Sequence, residues 1–74
     1  MTNEATKLLK FGKNIRNARK QKGYSQNKLA ELLDISREHL AKIETAKRCV
    51  SLHLLFRISE ILEIKESELF YFDN

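Results

Sequence analysis

Apolar side chains recur along this chain at intervals of three and four residues, the spacing of one helix face, and no segment sustains the period-two alternation of a strand. Across residues 6–22, Leu8, Phe11, Ile15 and Ala18 form such a stripe, with Lys7, Lys10, Lys13, Arg16 and Lys20 spread over the other faces. Gly23 predicts the end of this first helix, since glycine enters the left-handed backbone region without steric cost. Ser25 then reads as the N-cap of a second helix carrying Leu29, Ala30, Leu32 and Leu33. Asp34 and Ile35 break the pattern, Ser36 offers another cap, and Leu40 with Ile43 supply the i, i+3 pair of a short third helix. After a loop at 45–50, Ser51 opens a fourth helix with Leu54, Leu55, Ile58, Ile61 and Leu62 on one face, and residues 66–72 read as a brief fifth. Leu29, Ala30, Leu33, Ile35, Leu40 and Ile43 are the pattern of two short helices packed steeply across a turn. Ala30 marks their crossing, because a side chain larger than methyl would push them apart.

The expectation is an all-α, compact five-helix bundle. With 74 residues the chain is too short for its core to divide, so one domain covering 1–74 is expected. The absence of Pro and the presence of only two Gly favour helices further. The longest apolar run, Leu69-Phe70-Tyr71-Phe72, falls far short of the roughly 18 residues a membrane span needs. The polar start lacks a signal-peptide stretch, and a single Cys excludes an internally disulfide-stapled secreted fold. A soluble, cytoplasmic protein with no membrane partner is expected.

Charge divides unevenly along the chain. Residues 1–23 carry seven Lys/Arg and one Glu, net +6; residues 24–50 are net +1; residues 51–74 are net −3. Such a division suits a chain with one surface toward a polyanion and another facing away. An enzyme, by contrast, needs a convergent set of reactive groups, and two His, one Cys and no Gly-rich phosphate loop offer none. Cys49 and His53 are four apart, but two ligands without a paired partner motif fall short of a zinc site. No catalytic residue, metal or cofactor is expected, and Glu60, Glu63, Glu66 and Glu68 read as a solvated helix face.

The stretch GYSQNKLAELLDISREHLAKIE at 23–44 strongly resembles the phage-repressor-like (Cro/CI, Xre-type) helix-turn-helix family, and the likeness runs from about residue 9 to 70, through LLFRISEILEI at 54–64 and ELF at 68–70. The resemblance implies a lambda-repressor-like, five-helix DNA-binding domain whose third helix enters the major groove of double-stranded DNA, usually as a symmetric dimer. Two positions depart from the family pattern. Asp34 stands where the turn commonly has Gly, and Asp tolerates the left-handed backbone better than most residues. Ala46 stands where Gly commonly follows the third helix, and a left-handed Ala costs about 1 kcal/mol or more.

With Leu40 and Ile43 facing inward, 100° per residue turns Glu38, Lys42 and Thr45 outward, with Arg37 and Ala41 alongside. Arg37 is placed to grip guanine O6 and N7, Lys42 to donate to guanine, Glu38 to accept from cytosine N4, and Ala41 to touch a thymine methyl. The matching family positions support Ser36, Arg37, Glu38 and Lys42. Glu38 and Lys42 also stand in the favoured order for a helix-stabilising pair, expected in the free protein. Gln26, at the positive end of the second helix, is expected to meet phosphate, a task the resemblance also gives it. Lys47 and Arg48 would add backbone contacts that hold register without reading sequence. Glu44 opposes the dipole of its helix and needs a partner; the resemblance supplies Arg19 as that structural partner.

The chain has no second domain to hold a small-molecule effector, so control through its own concentration and dimerisation is the simplest expectation. Tyr71, Phe72 and Phe56 exceed what the core requires and are candidates for a homodimer contact, while Leu69 and Phe70 match core positions of the family. The expected function is a sequence-specific transcriptional regulator acting as a dimer on an inverted-repeat operator, of repressor or restriction-modification controller type. The alternative is a helical interaction module, or an antitoxin, that keeps the fold with little DNA specificity of its own. A basic first helix lying on anionic lipid is weaker, because its apolar stripe is needed for the core.

Overall fold

The computed structural model describes residues 3–71 and places in them five helices and no strand: α1 Asn3–Gln21, α2 Gln26–Leu33, α3 Arg37–Glu44, α4 Leu52–Leu62 and α5 Glu66–Leu69. Three of the starts are set by serine. Ser25, Ser36 and Ser51 each accept the amide of the residue three positions on (Lys28, His39, Leu54) at 3.0 to 3.1 Å, satisfying donors that a helix cannot satisfy itself. The α1 dipole is matched by Glu4 in its first turn and by Arg19 and Lys20 in its last.

Four helices stop in the same way. A left-handed residue follows each of α1 to α4 (Gly23, Asp34, Ala46 and Glu63, φ 54 to 78), and two reversed hydrogen bonds close over the last turn. At α3 these run from Ala46 N to Ile43 O, 3.2 Å, and from Lys47 N to Lys42 O, 2.8 Å. Asp34 thus takes the geometry its position requires. Ala46 takes it too, at the steric cost that a methyl group incurs there.

The core draws on every helix. Phe11, Ile15 and Ala18 of α1 meet Leu29, Ala30 and Leu33 of α2, Leu40 and Ile43 of α3, Leu54, Leu55, Ile58 and Leu62 of α4, and Leu69 of α5. Replacing one of the large aliphatics by Ala would cost about 2–5 kcal/mol. Ala30 is buried at the α2–α3 step, and its carbonyl accepts from Ile35 N at 3.0 Å, so the turn folds directly beneath it.

Some boundaries differ from the sequence pattern. The first helix begins at Asn3 rather than near residue 6, since no residue before Thr6 breaks a helix and Glu4 favours its start. The fifth ends at Leu69, three residues early, with Phe70 already out of helical geometry. Phe70 is not a core residue: it remains 49% exposed and stacks on Phe11 with ring centroids 4.9 Å apart. A four-residue helix cannot hold itself, and here Asn14 holds it. The Asn14 amide donates to the carbonyls of Leu69 and Tyr71, both at 2.9 Å. Arg57 similarly ties α4 to the end of α2, donating from Nη2 to the Leu32 carbonyl at 3.1 Å.

Candidate nucleic-acid interface

The eight residues of α3 differ sharply in exposure. Leu40, Ile43 and Glu44 are buried, Arg37, Glu38 and Lys42 are exposed, and His39 and Ala41 are half-buried. Ser36 caps the helix from an exposed position, its hydroxyl committed to the His39 amide. The Thr45 hydroxyl folds back to donate to the Ala41 carbonyl at 2.8 Å. Lys42 and Glu38 lie 3.9 Å apart, at the outer limit of an ion pair and mostly in solvent. Such a pair is worth a few tenths of a kcal/mol and opens easily. Among the described residues Arg37 has no side-chain partner. The face therefore presents one free guanidinium, one loosely held ammonium and one carboxylate on a rigid helix about 12 Å long.

What holds that helix is polar as well as apolar. Arg19 Nε donates to Glu44 Oε2 at 2.8 Å and Nη2 donates to Oε1 at 3.1 Å, with both side chains buried. The same guanidinium donates through Nη1 to the Tyr24 carbonyl at 2.9 Å. Gln26 joins the group, its Nε2 donating to Glu44 Oε1 at 3.1 Å. Gln26 is thus not simply a free group at a helix start: one amide hydrogen is spent on Glu44, leaving the rest of the amide and the α2 amides for an outside ligand. Lys47 and Arg48 are exposed on the loop after α3.

The sequence pattern did not mark Gly12. A Cβ there would lie 2.6 Å from the Glu44 carbonyl oxygen and 2.8 Å from that of Ile43. The end of α3 rests on bare α1 backbone, and an interior glycine in a helical stripe was the available signal.

The expected dimer residues are scattered over the C-terminal half. Phe56 is 55% exposed and Tyr71 71%, joined by Leu52 at 70%, which the pattern had not singled out. Phe72 lies outside the described residues. Leu52 and Phe70 also line a cleft of about 570 Å³ between the start of α1 and the loop after α3, with Leu8, Phe11 and Val50 in its wall. Cys49 is exposed at its edge, and among the described residues no three of His, Cys, Asp and Glu gather around a point.

The helix-turn-helix family model matches residues 15–69, from the middle of α1 to the end of α5. This chain belongs to the Xre/Cro-like helix-turn-helix family. It is 41% identical over 63 residues to the control protein C.MunI from Mycoplasma sp, covering 84% of this chain and 85% of that one. It is 37% identical over 54 residues to the SPbeta prophage-derived HTH-type transcriptional regulator YonR from Bacillus subtilis, covering 73% of this chain. Among solved structures, the restriction-modification controller protein C.AhdI from Aeromonas hydrophila superposes with a TM-score of 0.83 at 37% identity, covering 88% of this chain and 98% of that one. The chain spans half the length of YonR and 16% of an HTH-type regulatory protein of Thermococcus kodakarensis. No described helix is long and apolar enough to cross a membrane.

Proposed function

We propose that this chain is a sequence-specific double-stranded DNA-binding regulator of transcription, acting as a homodimer on an inverted-repeat site. The observation that carries the proposal is the division of α3, whose inward residues are locked by core packing and the Arg19–Glu44 pair while Arg37, Glu38 and Lys42 project into solvent. A helix so held fits the major groove, where Arg37 and Lys42 meet guanine, Glu38 meets cytosine N4, Ala41 meets a thymine methyl, and Ser36 sits at the helix start. Gln26, Lys47 and Arg48 grip phosphate and set the register. Likeness to C.MunI and C.AhdI over most of both chains favours the restriction-modification controller type within this class. No part of the mechanism calls for a cofactor, a catalytic step or a small-molecule effector. Leu52, Phe56 and Tyr71 supply apolar area for the two-fold contact.

Selection of bound sites from a random duplex pool at stated salt tests the proposal. A two-fold symmetric consensus with half-sites about one helical turn apart supports it. Replacing Arg37 and Lys42 together by Ala should abolish discrimination between sites while leaving most of the salt-dependent background binding. A chain that binds no duplex, or binds all equally, is an interaction module instead. Leu52→Asp or Phe56→Asp should shift sedimentation toward monomer while leaving helix content intact; a wild-type chain that sediments as a monomer with and without DNA overturns the dimer.

A further inference from the structure

Both amide hydrogens of Asn14 are spent on the segment that follows α5. One bond reaches the Leu69 carbonyl and the other the Tyr71 carbonyl, each at 2.9 Å. Two carbonyl acceptors at that distance require the nitrogen, so the orientation of the amide is fixed. The residue between those carbonyls is Phe70, and its ring stacks on Phe11, which stands three residues before Asn14 and about 60° around α1. Two neighbouring side chains of α1 thus hold this turn, one by its backbone and one by its ring.

The residue fixed at the far side of the turn does not enter the core. Leu69 is fully buried, whereas Tyr71 is 71% exposed, and among the described residues its ring and hydroxyl have no ring or hydrogen-bond contact. The Tyr71 amide reaches the Glu68 carbonyl only at 3.4 Å, so the bond from Asn14 is its shortest tie to the fold. Ordering an exposed aromatic costs conformational entropy, and a side chain ordered in advance enters an outside contact without that loss. The surface beside it is apolar and continuous. Phe70 and Leu52 line the same cleft, and Phe56 stands one turn on from Leu52 on the same face of α4.

We infer that Asn14 is a positioning residue for the two-fold contact, clipping the carbonyls on either side of Phe70 so that Tyr71 is presented to a second copy of this chain. This rests on the proposed homodimer, to which Leu52, Phe56 and Tyr71 contribute. Without the clip, the fraction of chains with Tyr71 in place falls. Apparent affinity falls with that fraction, once for each copy. Two lost hydrogen bonds therefore weaken the dimer by about tenfold or more.

The test is the dimer dissociation constant from sedimentation equilibrium, set beside the urea midpoint at a concentration where the wild type is monomeric. Asn14→Ala should raise the constant by about tenfold. Asn14→Asp, which keeps the shape but aims a carboxylate at two carbonyl oxygens, should raise it further. The monomer's urea midpoint should change little, since alanine also favours the α1 helix. In a Tyr71→Ala background the Asn14→Ala step should add less than about twofold, because both substitutions remove the same contact. If Phe56→Asp dissociates the dimer while the Asn14 variants leave its constant unchanged, this inference is overturned and the homodimer stands. An effect of Asn14→Ala that persists in full without the Tyr71 ring, or that follows a matching fall in the urea midpoint, overturns it too. A wild-type chain that sediments as a monomer with and without DNA overturns both.

Discussion

Arg19 and Glu44 form a two-point contact across 25 residues of sequence, Nε to Oε2 at 2.8 Å and Nη2 to Oε1 at 3.1 Å, in a site closed to solvent. Removing one member leaves the other charge buried alone, so Arg19→Met or Glu44→Gln should cost about 3–5 kcal/mol in urea denaturation. That is a large part of the roughly 5–15 kcal/mol a domain has to lose. The double variant Arg19→Met/Glu44→Met should recover part of the loss, because no lone charge then remains. Duplex affinity corrected for the folded fraction should change far less than stability.

Gly12→Ala reverses the usual gain of alanine in a helix. The new methyl meets the Glu44 and Ile43 carbonyl oxygens at 2.6 and 2.8 Å, backbone that cannot swing aside. We expect a net loss of about 1–3 kcal/mol against an intrinsic helix gain of up to about 1. A variant that melts higher than wild type would show that α3 shifts freely on α1.

Ala46→Gly should act in the opposite direction. At φ 64 the alanine pays a steric cost that glycine does not, partly offset by the greater freedom of glycine in the unfolded chain. The expected net gain is about 0.5–1 kcal/mol, seen as a rise of a few degrees in Tm. Gly23, in the corresponding place after α1 at φ 78, is the residue such a position prefers.

Lys22 and Glu63 set a pH dependence of modest size. The Lys22 ammonium donates to the Glu63 carboxylate, holding that carboxyl below its ordinary 4.5 and lifting the ammonium above its ordinary 10.5. The contribution of Glu63 is therefore complete above pH 4.5 and lost as pH falls through its lowered value; that of Lys22 is complete below pH 10.5 and lost as pH rises through its raised value. Both groups are exposed, so salt screens the pair. Urea midpoints of wild type and Glu63→Gln should differ most at neutral pH and low salt and converge in acid; a difference that persists below the acid transition counts against the pair.

Much of this arrangement is written locally. The three serine caps, the stop at Gly23 and the inward pair Leu40 and Ile43 follow from spacing and residue type, because each acts within a turn of its own position. The left-handed Glu63 carries no such sign, since its conformation is imposed by hydrogen bonds from Glu63 N to Glu60 O and from Ile64 N to Ser59 O. Phe70 shows the limit of family likeness: it matches a core position of the family, but a helix that ends at Leu69 turns it onto the Phe11 ring instead. The Gln26 amide on Glu44, the seat of α3 on Gly12 and the Asn14 clip on α5 depend on contacts between residues 18, 31 or more, and 55 or more positions apart, which no local period encodes. Arg19 and Glu44 were visible only through family likeness and the unfavourable placement of an acid at a helix end.

Since Leu40, Ile43 and Glu44 anchor α3 while the side chains of Arg37, Glu38, Ala41 and Lys42 make no ion pair beyond one weak surface contact, the proposed reading of DNA makes the outward positions a rewritable code on an unchanging mount. Randomising those four positions should yield a library whose members nearly all fold, and from which altered target preferences can be drawn without compensating changes elsewhere.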